Sequence, residues 1–189
     1  MKSRGCPYSC TFCSPTLRNS YGKGMRYHSI DRVVSDLKRL KELGKTIVYF
    51  RDDILTINRQ RTVDLCNRLI QEKIGISWCG QTHINNIDNE LLSLMKRAGC
   101  VSIGFGLESG SEKILKTVKK TNKIETAQGL LAHARKINLK TNCFFLIGCP
   151  GESKVDHELT LSLLNKTRPD LIQVAFFTPY PGSEDYKTF

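Results

Sequence analysis

The chain contains no apolar run long enough to cross a bilayer, and no basic stretch followed by an apolar segment and a cleavage site opens it. Both absences argue against a membrane span or export, and make a cytoplasmic protein the expectation. Aromatic residues are scarce at 8%, with a single Trp, and none interleaves with the lysine clusters as a base-stacking surface needs. Acidic residues are few, 18 against 29 Lys and Arg, which leaves a net charge of +11. Much of that charge lies in Lys38, Arg39, Lys41 and Lys45 and in Lys113, Lys116, Lys119, Lys120 and Lys123, both groups on predicted helices. Solvated helix faces are therefore favoured over a nucleic-acid surface. Glycine-rich phosphate turns are missing too. Gly104-Phe105-Gly106 continues to Ser109 where a dinucleotide fingerprint requires Gly, and Arg39 stands where a P-loop ending in Gly44-Lys45-Thr46 would need its first Gly. With 40% hydrophobic and 25% charged residues, disorder is not expected over these 189 residues. They suffice for one domain with a real core, or for a piece of a larger protein.

Cysteine is the residue in surplus. Eight occur, and without a secretory leader they point to reduced thiols and metal ligation rather than a disulfide frame. Cys6, Cys10 and Cys13 stand at CxxxCxxC spacing within Arg4-Gly5-Cys6-Pro7-Tyr8-Ser9-Cys10-Thr11-Phe12-Cys13. Three thiolates so spaced can reach three irons of a cubane cluster, and the loop offers no fourth cysteine. One iron is left for an outside ligand, the arrangement of a catalytic rather than a structural metal site. Zinc and plain core packing are the alternatives, but no second ligand pair at zinc spacing follows. Cys66, Cys79, Cys100, Cys143 and Cys149 read as small core residues.

After this loop, helix and strand patterns alternate, the signal for βα units around a parallel sheet. Ser29 caps a helix with Val33, Leu37 and Leu40 inward and Gly44 as its stop, and Asp88 and Gly99 bound another. The run Ile47-Val48-Tyr49-Phe50 reads as a strand covered on both faces. Further strands are expected at Ile76–Gly80, Cys100–Phe105, Cys143–Ile147 and Leu171–Phe177. Helices are expected over Arg59–Lys73 and Lys154–Asn165, with two pieces between the strands ending at Phe105 and Ile147. The fold class is α/β, a partial (β/α)6 TIM-like barrel of parallel strands. Only five residues precede Cys6, so the first strand is expected to be truncated and the chain to be a fragment of a longer protein. Barrel sites lie at strand C-termini, where Asp52, Asp53, Glu108, Ser109 and the Gly148 loop all fall.

The cysteine loop, with Phe12 before its last Cys, resembles the signature of the radical S-adenosylmethionine (SAM) superfamily. Met25-Arg26-Tyr27-His28-Ser29, Asp52-Asp53 with Thr56 and Asn58, Leu94 to Cys100, Gly106-Leu107-Glu108-Ser109-Gly110 and Thr178-Pro179-Tyr180-Pro181-Gly182 extend it across nearly all of residues 1–189, toward the cobalamin-associated group. The resemblance implies that Cys6, Cys10 and Cys13 hold a [4Fe-4S] cluster, with Phe12 beside them. It implies Asp52 and Asp53 near the SAM amine, Glu108 and Ser109 at the ribose, and the backbone of Ile147 and Gly148 at the adenine edge. It further implies reductive cleavage of SAM to a 5′-deoxyadenosyl radical, a small-molecule or metabolite substrate, and an electron donor such as flavodoxin or ferredoxin. Hydrogen abstraction or, with cobalamin, methyl transfer would follow. A tRNA methylthiotransferase-like enzyme and a non-catalytic metal-stabilised RNA- or protein-binding module are the rival readings. Three departures stand out: His83 and Asn85 replace the Arg and Asp common in relatives, and the Asp-x-His-x-x-Gly cobalamin loop is absent from these residues.

Overall fold

The computed structural model describes residues 2–13 and 24–188. A short strand β1 (Ser3–Arg4) pairs antiparallel with β2 (Arg26–Tyr27). Helix α1 (Ile30–Glu42) follows, its first turn closed by the Ser29 side chain, which accepts from the Arg32 N–H at 3.2 Å, and its end turned by Gly44 at φ +74°. The chain then runs through β3 (Ile47–Tyr49), α2 (Arg59–Gln71), β4 (Ser77–Thr82), a 3-10 turn at Ile84–Asn86 and α3 (Asn89–Arg97). It continues as β5 (Cys100–Glu108), α4 (Glu112–Thr117), α5 (Ile124–Lys136), β6 (Lys140–Ile147), α6 (Lys154–Thr167) and β7 (Leu171–Phe176).

Strands β3 to β7 form one parallel sheet in sequence order, curled into a half-barrel. These are the five strands expected after the first. The stub expected to be the first strand pairs with β2 rather than extending the sheet among the described residues, and is tied to it through Asp52.

The core lies between the sheet's outer face and the helices. Val33, Leu37, Leu65, Leu69, Leu91, Met95, Leu130 and Ala134 meet Phe50, Trp78, Ile103, Phe105 and Phe145, all buried. Each such apolar side chain is worth about 1.5–3 kcal/mol on burial, so this layer holds the sheet against its helices. Trp78 joins both functions of a large aromatic: its ring meets Phe50 edge-on at 5.5 Å, and its Nε1–H donates to the Ala98 carbonyl at 2.8 Å. The opposite, concave face is uncovered at β3, and β7 is exposed on both of its faces. Ile47 and Tyr49 of β3 are 58% and 43% exposed, so that strand is covered on one face, not two. Its marginal place in the sheet is the reason.

Two further expectations change. Lys119, Lys120 and Lys123 follow α4 rather than lying within a helix, because α4 stops after Thr117. The second basic cluster is also largely paired, Lys113 with Asp156, Lys116 with Glu112, Lys119 with Glu184 and Lys120 with Glu108, whereas in the first Lys38 pairs with Glu72. No disulfide links the cysteines among the described residues.

Candidate active site

Strand C-termini surround a cavity of about 290 Å³. Cys6, Tyr8, Cys10, Phe12 and Cys13 form one wall, and Asp53, Gln81, His83, Gly106, Glu108, Lys120 and Phe144 line the rest. The cysteine loop is fixed by bonds to separate elements. Gly5 N–H donates to Asp53 Oδ2 at 3.0 Å, Tyr8 Oη to Asn86 Oδ1 at 3.1 Å, and Thr11 N–H to the Val118 carbonyl at 3.1 Å. Gly5 sits at φ +106°, where an added Cβ would lie 2.8 Å from the Gly24 carbonyl oxygen, so this entry to the loop requires glycine.

Glu108 reaches the cavity through a local irregularity. The β5–β6 register shifts between Gly106 and Glu108, and Glu108 itself takes φ +65°. Such a bulge re-aims a side chain at a strand end. Asn122 holds it in shape, its Nδ2 donating to the carbonyls of Gly106 and Leu107 at 2.9 and 2.7 Å. The Glu108 carboxylate then folds back over Gly106, where a Cβ would collide with it and stand 3.0 Å from Lys120 Nζ.

Lys120 Nζ donates to Glu108 Oε1 at 2.9 Å, with the two side chains 11% and 10% exposed. Burial works against the ammonium, but Glu108 and then Cys10 outweigh it and raise the lysine above its ordinary pKa. Burial likewise pushes the Cys10 thiol up, against the opposing charge of Lys120, and Cys13 and Cys6 add to the rise. Without a metal, burial first and the neighbouring thiols after it therefore disfavour the Cys10 thiolate. A positively charged group among them reverses that balance.

The donors suit a cluster better than one ion. Among the described residues no three His, Cys, Asp or Glu side chains converge on a single point. The three thiols instead share one cavity wall, as ligands of three different irons must.

The remaining site residues divide. Asp53 and Phe12 line the cavity; Phe12 also packs on a small cluster of Ile114, Val118 and Cys149. Asp52 lies outside it, fully buried, accepting the Lys2 N–H at 3.0 and 3.2 Å and the Ser3 hydroxyl. Ser109 is also fully buried and faces α6: its Oγ lies 3.2 Å from Thr160 Oγ1 and accepts from the Ser111 N–H at 3.1 Å. At the strand β6 end, Gly148 N–H donates to Glu152 Oε2 and the Ile147 carbonyl accepts from Phe177 N–H at 2.8 Å. Neither residue lines the cavity.

Sequence reasoning missed Lys120, treating it as one more solvated lysine. Its inward turn follows Lys119 at φ +51°, a left-handed helix stop made without glycine, which left no signal.

A parallel α/β half-barrel with this wall of thiols at its strand ends is a barrel-type enzyme core. The chain belongs to the radical SAM superfamily, whose family model matches residues 1–164. It is 36% identical over 184 residues to an uncharacterised methyltransferase of Pyrococcus horikoshii, covering 97% of this chain and 40% of that protein. It is 28% identical over 189 residues to the bacteriochlorophyllide d C-12(1)-methyltransferase of Chlorobaculum tepidum, with coverage of 97% and 40%. In fold it resembles the radical SAM methyltransferase TsrM from Kitasatospora setae, solved with cobalamin and a [4Fe-4S] cluster bound. That match has a TM-score of 0.89 and 16% identity over 97% of this chain and 37% of that one. The chain spans less than half the length of these relatives. No helix among the described residues is long and apolar enough to cross a membrane.

Proposed function

We propose that the protein is a SAM-cleaving enzyme in which Cys6, Cys10 and Cys13 hold a [4Fe-4S] cluster. The observation that carries this reading is the single cavity shared by the three thiols, the Glu108–Lys120 pair and His83. When bound and reduced, the cluster supplies the electron that splits SAM into methionine and a 5′-deoxyadenosyl radical. The protein's own groups bind and orient. Glu108 keeps one carboxylate oxygen on Lys120, which fixes its orientation, and offers the other to the ribose hydroxyls. Gly106 leaves the space into which that pair folds. Phe12 and Phe144 give the cavity an apolar lining beside the cysteines.

Asp53 acts through the loop, holding Gly5 and so placing Cys6. Asp52 docks the amino-terminal stub rather than contacting SAM. A small-molecule substrate approaches along the concave face, and methyl transfer is the favoured outcome because two relatives named above bear methyltransferase names. An electron donor of flavodoxin or ferredoxin type supplies the reductant, and the cytoplasm is the compartment that keeps the thiols reduced.

Anaerobic reconstitution tests the reading. The expected result is about four irons and four sulfides per chain, from the cubane stoichiometry of such clusters. The reduced cluster's electron paramagnetic resonance spectrum should change on adding SAM, and 5′-deoxyadenosine should accumulate. A cluster that ignores SAM would overturn the proposal.

A further inference from the structure

His83 is an orphan within the site. It lines the same cavity as the three cysteines and is 4% exposed. Its ring stacks on Tyr8, inside the cysteine loop, with centroids 4.2 Å apart and planes at 14°. The Asn85 N–H donates to Nδ1 at 3.2 Å, which fixes that nitrogen as the acceptor and places the proton of the neutral ring on Nε2. Burial, and then the nearby Lys120 charge, push the ring's pKa down to about 4, so it is neutral at physiological pH. Yet Nε2 is buried with no hydrogen-bond partner among the described residues. An unpaired buried N–H costs about 1–3 kcal/mol, so its retention calls for a partner that arrives with the site's occupant.

We propose that His83 donates its Nε2–H to an anionic acceptor bound at the cysteine wall. The inference rests on the function proposed above. Two acceptors share the required chemistry: a sulfide of the cluster and the carboxylate of SAM. In either case the histidine contacts the occupant directly, as a neutral donor where a second cation beside Lys120 would be repelled. Hydrogen bonds to cluster sulfur favour the more negative, reduced state and so raise its potential. One to a carboxylate strengthens binding.

The test compares His83→Phe, which keeps the Tyr8 stack and deletes the donor, with His83→Gln, which returns an N–H. Both are reconstituted and their iron and sulfide content measured against wild type. Potentiometric titration without SAM, and calorimetric binding of SAM and of decarboxylated SAM, then separate the sources. A lower potential in His83→Phe, recovered in His83→Gln, assigns the donor to sulfide. Loss of about tenfold or more in SAM affinity, the equivalent of one charge-assisted bond, assigns it to the carboxylate if decarboxylated SAM is unaffected. The proposal is overturned if neither quantity moves, if both ligands weaken equally at unchanged potential, or if His83→Gln behaves like His83→Phe, including in cluster content. Wild-type protein that carries a cluster and binds no SAM would instead refute the proposed function, leaving the potential to decide the role of His83.

Discussion

Asp52→Asn isolates the tie between the amino-terminal stub and the sheet. The carboxylate is fully buried and accepts the Lys2 N–H with both oxygens and the Ser3 hydroxyl with Oδ1. Each hydrogen bond to a charged group is worth about 1.5–3 kcal/mol, and a neutral one about 1 kcal/mol. Asparagine keeps the shape, retains one neutral acceptor and turns an NH₂ toward a donor. The net loss is about 2–4 kcal/mol, a fall of roughly 30- to 1,000-fold in the ratio of docked to undocked stub. Because Cys6 lies two residues beyond β1, iron content should fall with it. Hydrogen exchange at the amides of Lys2 to Gly5, read alongside amides of β5, is the assay. Loss of protection confined to the stub is expected. Unchanged protection there, or equal loss in β5, would refute the reasoning.

Three other substitutions probe separate parts of the fold. Gly110→Ala would place its Cβ 2.7 Å from Thr160 Cα and against the Leu159 carbonyl of α6, backbone that cannot yield cheaply. A loss of about 3 kcal/mol, the upper end for overpacking, should appear in urea unfolding. Glu108→Ala leaves the buried Lys120 ammonium without its partner and should cost about 3–5 kcal/mol, whereas the Glu108→Ala/Lys120→Ala double variant should cost less than the single; thermal melts check the order. Lys2, 2% exposed, has its pKa lowered by burial to about 8. Since the unfolded chain binds the proton more tightly, wild-type stability contributed by this group is lowest below pH 8 and rises between pH 8 and about 10.5. Lys2→Met should therefore gain up to about 3 kcal/mol at pH 7 and lose that advantage near pH 10. An equal gap at both pH values in paired urea titrations would count against the assignment.

The fold was largely readable because its signals are local. Ser29 and Asp88 cap helices with their own side chains, Gly44 and Gly99 end helices in left-handed turns, and apolar runs marked β4 to β7 to within a few residues. The cysteine wall was readable for the same reason: its three thiols lie within eight residues. What failed to show is which way a side chain faces after a bulge. Glu108 and Ser109 are adjacent, yet one enters the cavity and the other binds α6. Asp52 and Asp53 split similarly, with the first claimed by a stub 50 residues away. Lys120 was hidden because a buried lysine and a solvated one look alike until the carboxylate opposite is located.

The peptide that carries the cavity's cation also suspends the cysteine loop. Val118, whose carbonyl holds Thr11, stands two residues before Lys120 in one tight turn. The seat of Thr11, between Cys10 and Cys13, and the lysine facing Glu108 are thus carried by one short stretch of backbone, so a substitution that reshapes this turn disturbs both at once.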